Sequence, residues 1–258
     1  MALKTFQVTE NRVQGSYAAI TAEGPVSPAL PGQFYMLRGD WGADPLLSRP
    51  VSILAQDVSS RQIRFLIKVF GEGSRRLASL KPGELLYGTG PFGNTFPVDF
   101  LSPEDRVLLV GGGVGMPPIV YLAESTKAMG VSPVVLQGGR TEKDLVLLEE
   151  LAGLKIDPVL ATEDGSRGRK GRVTVLLEEA LKDAPRVVYA CGPEGMLQAV
   201  ADVCRGRVAC YLSLEAYMAC GYGVCLGCVV SVRQEEGGRY RRVCKEGPVF
   251  SAEDLTWR

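Results

Sequence analysis

Val107-Leu108-Leu109-Val110-Gly111-Gly112-Gly113-Val114-Gly115-Met116-Pro117-Pro118 is an unbroken apolar run, a glycine turn and a helix start with proline in its first turn. Read together, they make a buried strand that feeds a helix, the opening of a parallel α/β unit. The glycines let the backbone approach an anion, and the free N–H groups and dipole of a helix N-terminus bind one. A pyrophosphate therefore fits at Gly111, Gly112, Gly113, Gly115 and Pro117. Counted from Gly111, the sixth position of a G-x-G-x-x-G is Met116, and no Walker A lysine follows, so a P-loop is excluded. On this segment alone, a tight turn that binds nothing is the alternative.

Downstream the chain alternates. Helical spacing over Ile119 to Met129 is followed by Pro133 to Leu136, Asp144 to Leu151, Ile156 to Ala161, Val173 to Leu181, Val187 to Ala190 and Met196 to Val203. Strands alternating with helices predict a doubly wound parallel sheet. In such sheets ligands bind at the carboxyl ends of strands. Cys191-Gly192, directly after the apolar strand Arg186 to Ala190, occupies that position. Upstream, short apolar runs lie between Gly/Pro punctuation: Phe6/Val8, Tyr17 to Ala22, Gln33 to Leu37, Val51 to Leu54, Ile63 to Val69 and Leu85 to Tyr87. Six short strands with one helix, from Gly73-Ser74 to the stop at Lys81-Pro82-Gly83, predict an antiparallel β-barrel.

All seven cysteines lie between Cys191 and Cys244. Cys220, Cys225, Cys228 and Cys244 are spaced C-x4-C-x2-C-x15-C, the plant-type [2Fe-2S] ligand pattern. Gly221, Gly223 and Gly227 allow the turns that aim backbone N–H groups at sulfur, and Val224 and Leu226 are expected to limit solvent access. A four-cysteine zinc site would use the same ligands, although zinc ribbons favour two matched CxxC knuckles. Cys204 and Cys210 read as small buried residues. The piece after residue 206 has a strand-like Val208 to Leu212. A hairpin of Val229 to Val232 with Tyr240 to Val243 is expected across Gln234 to Arg239. The piece is too small for a core of its own. The expected domains are 1–101, 102–206 and 207–258.

Composition narrows the functions. With 258 residues, 29 basic and 29 acidic side chains and 46% hydrophobic residues, the chain reads as a soluble globular protein without a footprint for nucleic acid. It contains no histidine, which removes Ser-His-Asp catalysis, HExxH zinc sites and Rieske clusters. The longest charge-free stretches, Val107 to Ala123 and Ala216 to Val232, are too short and glycine-broken for membrane insertion. The N-terminus lacks an apolar signal core, and an odd number of cysteines argues for thiols or metal ligands, so the expected location is cytoplasmic.

In the barrel, Arg49-Pro50-Val51-Ser52 and Gly71-Glu72-Gly73-Ser74 could each bind an anion. Arg49 would act as a fork for phosphate, and Gly73 and Ser74 as donors at a helix N-terminus. An ordinary surface arginine and an ordinary helix cap have the same local sequence. The order R-P-x-S, G-x-G-S, G-P-x-G-N (Gly90 to Asn94), G-G-G-x-G-x-P and C-G-P-x-x-M resembles the ferredoxin–NADP reductase superfamily. The segments Ser213 to Cys228 and Val243 to Phe250 look like one branch of it, the electron-transfer subunits of class 1B dihydroorotate dehydrogenase.

The resemblance implies an FAD barrel, a NAD domain and a [2Fe-2S] domain. It also implies a separate FMN-containing catalytic subunit that oxidises dihydroorotate in pyrimidine biosynthesis, in a heterotetramer with two copies of each. Carried over, Arg49 would bind the FAD pyrophosphate, Ser52 would hydrogen-bond near flavin N5, Leu66, Ile67 and Lys68 would line the flavin, and Gly73 and Ser74 would meet phosphate oxygens. Val51 stands where the wider superfamily often has an aromatic residue. A nicotinamide exchanges two electrons at once and a cluster one, so the three sites form a redox relay that needs no acid or base from the protein. NAD is expected over NADP, although Arg140 in Gly138-Gly139-Arg140-Thr141 could meet a 2′-phosphate. Rival readings are a NAD(P)H-dependent ferredoxin or sulfide/polysulfide reductase subunit, and a non-enzymatic redox sensor or zinc-stabilised interaction module.

Overall fold

The computed structural model describes residues 2–235 and 238–257. Strands β1 (Lys4–Gln14), β2 (Tyr17–Glu23), β3 (Phe34–Gly39), β4 (Arg49–Asp57), β5 (Gln62–Lys68) and β6 (Leu85–Phe92) close into an antiparallel barrel in the order β1-β2-β5-β4-β3-β6. Alternation aims Phe6 and Val8, Ala18 and Ile20, Tyr35 and Leu37, and Phe65 and Ile67 inward around Ile53 and Leu86. Burying each larger apolar side chain contributes about 1.5–3 kcal/mol. Helix α1 (Glu72–Ala78) lies between β5 and β6 and seats Leu77 in the same core.

The second unit begins with β7 (Val107–Gly112) and α2 (Met116–Ala128), joined by a 3-10 turn over Gly113–Gly115. It continues through β8 (Val134–Gly139), α3 (Leu148–Gly153), β9 (Val159–Thr162), β10 (Arg169–Lys170), α4 (Val173–Ala180), β11 (Val187–Cys191), α5 (Glu194–Cys204) and β12 (Ala209–Ser213). The sheet order is β10-β9-β8-β7-β11-β12-β15, with β15 (Val249–Ser251) antiparallel at the edge and the other pairings parallel. Leu108 and Val110 face α4 and α5, whereas Val107 and Leu109 face α2 and α3, so both faces are covered. The chain runs outward from β7 to β10 and returns to β11 beside β7. The carboxyl ends of β7 and β11 thus flank the point where the strand order reverses.

Two details differ from the expectation. The helix predicted over residues 144–151 is split into a 3-10 turn at Glu142–Asp144 and α3, because Leu147 takes a left-handed conformation (φ 61°). The parallel sheet continues past residue 206, since β12 pairs with β11 and β15 pairs with β12. The C-terminal hairpin forms from β13 (Val229–Glu235) and β14 (Gly238–Arg242), and the middle of its predicted connection, Glu236 and Gly237, lies outside the described residues. Cys228, Val232, Val243, Cys244 and Leu255 share one core with Phe34 and Met36 of the barrel and Leu212 of the sheet. That sharing answers the problem of a piece too small to hold a core alone. No described helix is long and apolar enough to cross a membrane.

Candidate functional site

At the sheet's reversal point Gly111 and Cys191 are register partners on β7 and β11. A Cβ on Gly115 would stand 2.3 Å from the Cys191 carbonyl oxygen and 2.5 Å from the Gly192 nitrogen, so the two turns pack backbone on backbone. Gly113 has φ 54°, a left-handed turn that suits glycine. Pro117 and Pro118 lie in the first turn of α2, where their missing N–H groups leave no helical bond unmade. Cys191 is buried, and burial pushes its thiol pKa up, which keeps the sulfur neutral and unreactive.

The barrel faces this turn. Tyr17 and Lys68 are cross-strand partners on β2 and β5, and the Lys68 ammonium sits 5.4 Å from the Tyr17 ring centroid and 5.2 Å from that of the exposed Phe70. A Cβ on Gly113 would come within 3.2 Å of the Tyr17 hydroxyl and 4.0 Å of Lys68 Nζ. The Tyr17 phenol is pushed up to about 12 by burial and then by the Asp144 carboxylate. Glu215 lies just beyond the end of β12. Desolvation raises its carboxyl above the ordinary range, and the Lys68 ammonium opposes that rise.

On the neighbouring strand β4, Arg49 lies across Gly73. A Cβ there would be 2.0 Å from Arg49 Nε, so only glycine leaves the guanidinium its place beside the first turn of α1. Among the described residues Arg49 donates to the Leu47 carbonyl and forms no ion pair, which suits a cation kept for an anionic ligand such as a diphosphate. The Ser74 hydroxyl accepts from the Phe70 and Gly71 N–H groups at 2.9 and 3.1 Å, so it caps the loop. Ile67 points into the barrel core and Leu66 to the opposite side, against Tyr17 and Leu54. Pro50, Val51 and Ser52 pair along β4 with Met36, Tyr35 and Phe34 of β3.

The four spaced cysteines meet in two pairs. Cys228 and Cys244 are buried with their Sγ atoms 3.2 Å apart, and the half-buried Cys220 is hydrogen-bonded with the exposed Cys225. Among the described residues no three thiols or carboxylates converge on a single metal position. Two pairs suit a binuclear cluster, in which each iron takes two thiolates, better than one tetrahedral zinc. Gly221 (φ 80°), Gly223 (φ 89°) and Leu226 (φ 59°) turn the loop. Desolvation would raise the Cys220 thiol, but N–H groups of Cys225, Tyr222 and Val224 outweigh it and bring the pKa down to about 6. Burial, followed by the neighbouring Cys228, pushes Cys244 up to about 12. Val224 and Leu226 do not shield the loop as expected: they are 72% and 60% exposed.

This loop docks on the barrel strand next to Arg49-Pro50-Val51-Ser52. A Cβ on Gly221 would lie 2.4 Å from Met36 Cγ, and Met36 pairs with Pro50.

Comparison with known proteins agrees with this layout. The profile of an oxidoreductase NAD-binding domain matches residues 109–202, and that of the iron-sulfur cluster binding domain of dihydroorotate dehydrogenase B matches residues 215–256. The dihydroorotate dehydrogenase B (NAD(+)) electron transfer subunit of Caldanaerobacter subterraneus subsp. tengcongensis is 39% identical over 254 residues, covering 98% of each chain. That of Geobacillus kaustophilus is 40% identical over 225 residues, 87% of this chain and 86% of the relative. The chain belongs to this family of electron transfer subunits. Among solved structures, the NADH-dependent reduced ferredoxin-NADP oxidoreductase superposes with a TM-score of 0.84 at 26% identity, covering 100% of this chain and 91% of the other. A ferredoxin reductase of carbazole 1,9a-dioxygenase has the same fold, with a TM-score of 0.67 at 22% identity, covering 80% of this chain and 66% of the other.

One residue of the family's G-P-x-G-N segment gains a function that spacing did not show. Asn94 Nδ2 donates to the carbonyls of Glu246 (2.9 Å) and Val249 (2.7 Å), and its Oδ1 accepts from the Val249 N–H at 2.9 Å. Asn94 therefore ties the barrel to the segment that follows Cys244.

Proposed function

We propose that this chain carries electrons from dihydroorotate, oxidised by an FMN-containing catalytic subunit, to NAD+. Cys220, Cys225, Cys228 and Cys244 would hold a [2Fe-2S] cluster. The barrel, through Arg49, Ser52 and Gly73, would hold FAD, and Gly111 to Pro117 with Cys191-Gly192 would hold NAD. The observation that carries the reading is the position of the barrel between the other two sites. Its β3, paired with β4, touches the cysteine loop through Met36, while its β2 and β5 face the glycine turn through Tyr17 and Lys68. A bound flavin supplies the conversion between the two-electron chemistry of a nicotinamide and the one-electron chemistry of a cluster.

The chain's own residues bind and orient. Arg49 offers a fixed fork to a diphosphate, and the Gly111–Gly115 turn presents N–H groups at the start of α2. The neutral, buried Cys191 thiol packs at the reversal point without competing as a nucleophile. Tyr217, Tyr222, Val224 and Leu226, exposed around the cysteine loop, offer the catalytic subunit an apolar surface next to the thiols. An assembly with two copies of each subunit accommodates it. All seven cysteines are free, which suits the reducing cytoplasm.

The test is reconstitution with the matched catalytic subunit. Adding this chain should confer NAD+-linked dihydroorotate oxidation. A catalytic subunit whose turnover with NAD+ is unchanged by the chain would overturn the reading and favour a ferredoxin or sulfide reductase.

A further inference from the structure

Arg242 ends β14 two residues before Cys244, and its guanidinium is bound on several sides. Nε donates to Glu246 Oε1 and Oε2 at 3.1 and 2.9 Å, Nη2 pairs with the same carboxylate, and the Arg242 N–H donates to Glu246 Oε2 at 2.7 Å. Nη1 is left to reach across the turn and donate to the Gly223 carbonyl at 2.6 Å. That carbonyl belongs to the peptide whose other end is the Val224 N–H, a donor to the Cys220 sulfur. Carboxylate, guanidinium, peptide and thiol thus form one chain of hydrogen bonds, in which each member polarises the next. Gly223 sits against this arm, since a Cβ there would be 3.3 Å from Arg242 Nη1, and its φ of 89° sets the peptide's direction. The arginine charge also acts on the Cys228 and Cys244 thiols.

We propose that Arg242, held by Glu246, is a positioning residue that sets the reduction potential of the cluster. It fixes and polarises the 223–224 peptide that donates to Cys220, and it places a positive charge beside Cys228 and Cys244. Cluster potentials follow net charge and hydrogen bonds to sulfur. Reduction adds one electron and no bond to the protein, so a nearby cation and a stronger N–H donor both favour the reduced form. Removing the cation lowers the potential. Removing the carboxylate, while its amide replacement still accepts from Arg242, raises it. The inference rests on the cluster assignment proposed above.

The experiment is an EPR-monitored redox titration of the full chain and of Arg242→Gln, Arg242→Lys and Glu246→Gln, with iron and sulfide content measured in each. Arg242→Gln should shift the midpoint to lower potential at unchanged cluster content. Arg242→Lys, which keeps the charge and loses the fork, should fall between it and the wild type. Glu246→Gln should shift the midpoint upward. A full cluster complement in Arg242→Gln with an unmoved or higher midpoint would overturn the inference. Where that variant holds no cluster, Arg242→Lys and Glu246→Gln decide, and unmoved midpoints in both overturn it. A wild-type chain that binds zinc and no iron–sulfur cluster would instead overturn the cluster assignment itself.

Discussion

Replacing Gly115 with alanine probes the junction of the two turns proposed to hold NAD. The added methyl would stand 2.3 Å from the Cys191 carbonyl oxygen and 2.4 Å from its carbon, both backbone atoms that no side-chain rotation can move. Ordinary carbon contacts begin near 3.5 Å, so the turns must separate by roughly 1 Å. Overpacking of this kind costs about 1–3 kcal/mol of stability. A displacement of about 1 Å in a positioned reactant costs about 100-fold in rate, close to 2.7 kcal/mol of barrier. The assay is anaerobic stopped-flow reduction of the bound flavin by NADH, with iron and flavin content as controls. Gly115→Ala should slow reduction by about two orders of magnitude and leave both contents unchanged. Gly153→Ala, where no atom lies within 4 Å of the new methyl, should reduce at the wild-type rate. Wild-type kinetics in Gly115→Ala would refute the placement of NAD at this junction.

Gly73→Ala should drive the flexible Arg49 guanidinium from its place; losing its charge-assisted hydrogen bonds, about 1.5–3 kcal/mol, should raise the FAD Kd by about 10- to 150-fold, with thermal stability of the flavin-free protein nearly unchanged. An unaltered Kd by fluorescence titration would remove Arg49 from the flavin site. Asn94→Ala removes three hydrogen bonds to residues 246–249 and should cost about 1–3 kcal/mol, seen as lost amide protection at Val249 in hydrogen exchange. Wild-type protection there would contradict the clamp. For Glu215 the folded pKa is raised by desolvation, so its contribution to stability is complete below the unfolded value of about 4.3 and is lost as pH rises through the folded value. Glu215→Gln should therefore flatten the fall in Tm as pH rises above the unfolded value, and parallel pH curves for variant and wild type would refute this.

The two large units were legible because their signals are local. Gly/Pro punctuation bounded the barrel strands, and the apolar run into Gly111–Gly115 marked one of the two strands whose carboxyl ends flank the reversal point. Cysteine spacing singled out the four thiols that the fold brings into two pairs, because spacing within a loop is itself a sequence property. Other features depend on tertiary pairing. Strand β15 is three residues long, too short for a periodic pattern, and exists only because β12 leaves it an edge 36 residues earlier in register terms, Ser213 opposite Val249. The Arg242–Glu246 pair has helical spacing but sits in a turn, where nothing in the sequence shows that its free arm reaches Gly223. Tyr17 read as one apolar residue of a strand, and its position opposite Gly113 arises from packing between units. Val224 and Leu226, apolar beside cysteines, suggested a shield. Both are exposed instead, with Leu226 itself in a left-handed turn.

The central claim is a single electron route through three sites on one chain. Its most direct test is an anaerobic ultraviolet–visible spectrum of the purified protein, recorded before and after NADH and then NADPH. Overlapping flavin and iron–sulfur absorbance, both bleached by NADH, is the expected result. A colourless protein that takes up only zinc, or a flavin that NADH cannot reduce, would contradict it.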